Sequence, residues 1–124
     1  MYNDDMDTKD DPPVLIETVN GSGGLLIEIW DVDFKHALDG HSEVTIERIR
    51  KALIEPVKVV QSQWSKTACL FYNLEIKDDP DFGNIFFCVV VGVTGQGKGK
   101  METAYETTVT KNGTVLLENK EGAK

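Results

Sequence analysis

Between Asp31 and Pro56 the apolar residues recur at a helical interval, while before and after they come in the short runs and alternations of β-strands. Residues 14–19 and 25–30 read as two strands, with the Asn-Gly-Ser-Gly-Gly stretch at 20–24 as a flexible hairpin loop between them. Such a stretch cradles phosphate only when a helix follows it directly, and here a β-type run follows. Residues 31–39 are predicted helical, because Phe34, Ala37, Leu38 and His41 fall on one face at i, i+3, i+4 and i+7. Gly40 suits the left-handed position that ends such a helix. Ser42 is then expected to cap a second helix, with Glu43 in its first turn at the positive end of the dipole. That helix would turn Ile46, Ile49 and Leu53 inward and Arg48 and Lys51 towards water, and Pro56 would stop it.

The remainder reads as antiparallel sheet, with candidate strands at 57–61, 67–76, 84–93, 100–110 and 114–118. Turn-forming residues at 78–83, 94–99 and 111–113 connect them, the second as a mobile hairpin tip. The stretch 85–93 is apolar on both faces, as a central strand must be when helices cover one side. The expected class is α+β: an N-terminal hairpin and two short helices packed on one face of a four- or five-stranded antiparallel sheet. An acidic disordered tail at 1–13 and a C-terminal tail at 119–124 would flank a single domain at 14–118.

Charge and composition narrow the field. The chain has 124 residues, 40% apolar and 27% charged, with a net charge of −8. These are the proportions of one globular domain. Half of that charge comes from the five aspartates and one lysine of residues 1–11, so the rest of the chain is mildly acidic. This argues against non-specific nucleic-acid binding and leaves room only for a local basic patch. No apolar run approaches the ~20 residues of a membrane helix, and the opening Met1-Tyr-Asn-Asp-Asp is unlike an export signal. Cys69 and Cys88 lie in apolar strand-like runs with no metal-ligand spacing, which suits buried, reduced thiols in a cytoplasmic protein. Asn20-Gly-Ser22 and Asn112-Gly-Thr114 read as hairpin turns.

Few groups are equipped for chemistry. His41 exchanges protons near neutrality if its pKa stays at about 6.5, and as a bland alternative it packs beside Phe34 and Leu38. His36 is the weaker candidate. Thr103, Tyr105 and Thr107 alternate along one strand, so their hydroxyls share a face, although Thr and Tyr also suit half-exposed strands on propensity alone. Lys58, Lys66, Lys98 and Lys100 are the cations available to a phosphoryl group, and solvated surface lysines are the default for each. Residues 95–100 match neither a P-loop nor a dinucleotide fingerprint. Two histidines are too few for most metal sites, no Gly-x-Ser-x-Gly is present, and no cofactor is called for.

In order, the chain shows Trp30, His36, His41-Ser-Glu-Val44, a helix ended by Pro56, and the pair Phe71-Tyr72. Phe86-Phe-Cys-Val-Val-Val91, Glu102-Thr-Ala-Tyr-Glu-Thr107 and Lys111-Asn-Gly113 follow. Over residues 28–117 this order resembles the small domains of the barnase–EndoU–colicin E5/D–RelE nuclease superfamily, particularly those of phage and prophage proteins. The resemblance implies a two-layer α+β fold and metal-independent RNA cleavage by 2′-hydroxyl attack. It implies His41 as acid–base, Thr103 and Tyr105 against phosphate or hydroxyl, and Lys66 as a charge for the substrate. The hydroxyl row and the basic hairpin tip add Thr107, Lys98 and Lys100 as candidate substrate contacts. Ser42 stands where that family has proline, and the middle strands carry no arginine. The competing expectation is a catalytically inactive module of the same fold, an acidic antitoxin- or immunity-like partner of a basic protein.

Overall fold

The structure, a computed structural model, describes residues 13–18, 25–40, 43–63, 65–111 and 113–118. In chain order these form β1 (Val14–Glu17), β2 (Leu26–Ile29), α1 (Asp31–Gly40), α2 (Ile46–Ile54), β3 (Lys58–Ser62), β4 (Ala68–Asp79), β5 (Gly83–Gly95), β6 (Lys98–Thr107) and β7 (Gly113–Glu118). The strands make one sheet in the order β1-β2-β6-β5-β4-β3-β7. The α+β class holds, and the apolar run of β5 does occupy the centre of the sheet. No helix among the described residues is long and apolar enough to cross a membrane.

Two expectations about the sheet need correction. It has seven strands, and it is mixed: β2 pairs in parallel with β6, Leu26 opposite Lys98 and Glu28 opposite Lys100. The N-terminal hairpin therefore extends the sheet instead of packing on its face. The physical reason lies in β6, whose first residues expose backbone groups on the side away from β5. β2 can satisfy them while Ile27 and Ile29 enter the core. The glycine-rich tip is also tighter than expected, since Gly95 pairs with Lys98 across a turn in which Gly97 has φ 73°.

Helix α1 lies over β6, and α2 lies over β4 and β5 and reaches β1. α2 begins later than Ser42 would place it: Thr45 is the cap, its hydroxyl accepting the Arg48 N–H at 3.1 Å. Its Ile49 and Leu53 are buried as expected, Ala52 is buried beside them, and Ile46 is half-buried. Pro56 follows the last turn, and Asn73 Nδ2 donates to the Glu55 carbonyl just beyond the helix end at 3.2 Å.

Alternation along the strands sorts the core into two layers. Ile27, Ile29, Phe71, Phe87, Val89, Met101 and Ala104 face the helices. Val60, Leu70, Tyr72 and Cys88 form a second cluster on the opposite side, with Phe86, Val90 and Tyr105 packed against it. Each large side chain sealed in either layer contributes roughly 2 kcal/mol by leaving water. The second layer is the part of the molecule that bears on function, because no described helix covers it.

Candidate functional site

The helix-free face carries an aligned row of polar side chains. Register places Lys58 on β3 opposite Tyr72 on β4, Tyr72 opposite Cys88 on β5, and Cys88 opposite Tyr105 on β6. Directly opposed residues share a face, so the ammonium, two phenols and a thiol line up across four strands. Thr103 and Thr107 lie on the same face, opposite Val90 and Phe86. The one-face expectation for 103, 105 and 107 is therefore met, the β-bulge between Met101 and Thr103 falling just before them.

Topology then brings a second segment to this row. β6 and β7 stand on opposite sides of β5, β4 and β3, so the chain after Thr107 must cross the sheet. The Thr107 hydroxyl opens that crossing by donating to the Val109 carbonyl at 3.1 Å and accepting its N–H at 3.2 Å. Further on, the Lys111 N–H donates to the Tyr72 hydroxyl at 2.9 Å, and Lys58 Nζ donates to Thr110 Oγ1 at 3.3 Å. Phe86 meets the Tyr72 ring edge-on, centroids 6.1 Å apart.

Burial fixes the protonation of this row. It pushes the Cys88 thiol up to about 12, outweighing the hydrogen bonds to Tyr105 and Tyr72 and the charge of Lys111. Burial likewise pushes Tyr72 up to about 12, against the lowering effect of the Lys111 N–H. Tyr105 is raised further still, by burial first and then by Cys88 and Tyr72. All three keep their protons at neutral pH. Cys88 is thus an inert core thiol, and Tyr105, the half-buried phenol of the pair, is a hydrogen-bond donor and not a base.

A separate cluster sits on the helix side, and it overturns the solvent-facing expectation for Arg48. Its guanidinium lies 4.7 Å from the centre of the Phe87 ring. Nε donates to Glu75 at 2.8 Å, Nη2 to Glu75 and, at 2.7 Å, to Glu106, and Nη1 to the Glu43 carbonyl at 2.7 Å. The Glu75 hydrogen bond, then that of Glu106, hold Arg48 well above even the usual arginine range despite its burial. The Glu43 carboxylate accepts the Glu106 N–H at 3.3 Å, which fastens the segment before α2 to the outer edge of β6. A cleft of about 310 Å³ opens beside this cluster, lined by Glu47, Arg48, Lys51, Asn73, Leu74 and Glu75.

The candidate residues are thus dispersed. Thr103, Tyr105 and Thr107 share the helix-free face. Exposed Lys66 lies in the turn before β4, at the end of the sheet where the β5–β6 turn also lies. Lys98 stands at that turn, about 20 Å along β6 from Tyr105 at the usual strand rise. Lys100 Nζ is 3.4 Å from Asp33 Oδ2 on α1. His36 is exposed on α1, while His41 and Ser42 lie outside the described residues. The cations that register and crossing bring to this face are Lys58, three strands from Tyr105, and Lys111, whose backbone N–H meets Tyr72. Lys58 was visible as one of four equivalent lysines. Lys111 was visible only as part of a turn, and nothing local marks either one. Comparison with protein-family models, characterised proteins and solved structures gives no match.

Proposed function

We propose that this domain is a metal-independent endoribonuclease of the type its residue order resembles, with the RNA backbone lying on the helix-free face. The observation that supports this is the helix-free face itself. It carries the Tyr105 and Thr103 hydroxyls on β6 and, three strands away, the Lys58 ammonium on β3, with Thr110 held by Lys58 and the Lys111 backbone held by Tyr72 between them. A phosphodiester undergoing 2′-hydroxyl attack gathers negative charge on its non-bridging oxygens. Protonated Tyr105 and the lysines are suited to meet that charge. Tyr105 keeps its proton at neutral pH, so the reading assigns proton transfer to His41.

The purified protein should cleave total RNA in EDTA and leave 2′,3′-cyclic phosphate ends. His41→Ala should lower the rate by about 100-fold or more, the usual loss for a general acid–base. Cleavage that persists in His41→Ala removes the histidine from the mechanism. The net charge of −8 favours a second reading, an inactive module of the same fold that binds a basic protein. Absence of cleavage together with salt-sensitive binding to such a protein would select it.

A further inference from the structure

We infer that Lys58, Thr110 and Lys111 form the phosphate-binding site of the helix-free face, and that the site takes the backbone phosphate of an RNA strand. The inference rests on the nuclease reading for the identity of its ligand. The site itself rests on the geometry of the crossing segment.

The donor inventory is one-sided. Lys58 Nζ spends one hydrogen on Thr110 Oγ1 at 3.3 Å, and the Thr110 hydroxyl, which accepts there, keeps its own hydrogen to donate. Lys111 has its backbone N–H fixed on Tyr72, and the residue is exposed. Among the described residues, no carboxylate forms an ion pair with either lysine. Glu118 lies opposite Lys58 on β7 and makes none, since that ammonium is turned to Thr110. Elsewhere Lys35 is paired with Asp31, Lys100 with Asp33, and Arg48 with Glu75 and Glu106, while Lys51, Lys66, Lys77 and Lys98, like Lys58 and Lys111, form no ion pair among the described residues. What sets Lys58 and Lys111 apart is the crossing segment that brings them near each other. In a chain of net charge −8, a hydroxyl donor and two ammoniums without a carboxylate partner among the described residues, where the crossing segment meets β3, form a local site for an anion. The crossing also accounts for their proximity: Tyr72 anchors the Lys111 backbone and Lys58 anchors Thr110, the residue before it, so β3 and a segment some 53 residues further on meet here.

The probe is a fluorescent 2′-deoxy oligothymidylate, which has the phosphates but lacks the attacking hydroxyl and so binds without turnover. Its anisotropy is titrated at several salt concentrations. The wild type should bind at low salt. Lys58→Gln and Lys111→Gln should each weaken binding about 10-fold, and each should lower the salt slope by about 0.7, the value for one single-strand phosphate contact. Lys35→Gln, the same charge change at a lysine already paired, should stay within twofold. Lys111→Gln retains its backbone N–H to Tyr72, and circular dichroism checks that each variant is folded. Equal losses in all three variants, or failure of the wild type to bind at low salt, overturn the inference. Cleavage of RNA is scored separately: binding as expected without any cleavage leaves this site standing and rejects the nuclease reading.

Discussion

Arg48 is the side chain with the most to lose. It is one cation among the carboxylates of Glu75 and Glu106 and the carbonyl of Glu43, and it rests on Phe87. Helical periodicity assigns it to water, because it lies off the Ile46–Ile49–Leu53 stripe. Periodicity says nothing about two glutamates arriving from β4 and β6, 27 and 58 positions further on. Arg48→Leu would keep the contact with Phe87 and leave two acids facing each other in a half-buried site. The expected loss is about 3 kcal/mol, near the lower end for a broken buried ion pair. Arg48→Lys should recover only part of that, since a point charge cannot serve Nε, Nη1 and Nη2 positions at once. Urea denaturation at neutral pH measures both, and an Arg48→Leu variant as stable as the wild type would show the cluster to be ornamental.

The elements show what patterning can and cannot convey. The helical interval and the alternations recover α1, α2 and all seven strands to within a few residues, because each element must bury one side and the period records which. The exception at the boundary is instructive: Ser42 and Thr45 are both good caps, and Ile46 as first helical residue selects the second. Partnership is another matter. β2 finds β6 across some 70 residues, and nothing in either strand names the other. The same ignorance hides the choice of Lys58 and Lys111 over Lys66 and Lys98, which depends wholly on register and on the crossing after Thr107. Register also predicts unequal costs for two glycines. A methyl group on Gly113 would strike the Gln61 carbonyl and come within 2.7 Å of Val60 Cγ1, so β7 would have to move off β3. A methyl group on Gly92 meets only the carboxylate end of Glu102, which can swing away. Gly113→Ala should cost about 1–3 kcal/mol, as overpacked sites do. It should also speed amide exchange along β3 and β7, whereas Gly92→Ala should do neither. Hydrogen exchange read by mass spectrometry separates the two, and equal exchange in both variants would refute the close β3–β7 approach.

The row Tyr72–Cys88–Tyr105 makes the stability of the entire sheet a function of alkaline pH. These groups join β4, β5 and β6, and the crossing segment is fastened to them through Lys111, so ionising Tyr72 or Cys88 sets a charge on a side chain buried from water. In the unfolded chain Cys88 and Tyr72 lose their protons near the ordinary 9 and 10, whereas in the folded chain both hold them to about 12. Below pH 9 the two states carry the same protons on these groups, and their contribution to stability is fully present. Above it the unfolded state releases protons that the folded state keeps. Each unit of pH then favours unfolding by about 1.4 kcal/mol for every group lying between its two pKa values. The melting temperature should therefore be level from pH 7 to 9 and fall steadily from there towards 12. Cys88→Ala gives the decisive control. It leaves a small cavity and should melt lower at pH 8, yet it removes one titrating group, so its decline between pH 9 and 12 should be shallower than the wild type's. A variant whose alkaline slope matches the wild type would mean that the thiol ionises with the same ease folded or unfolded, and that the helix-free layer of the core is open to water.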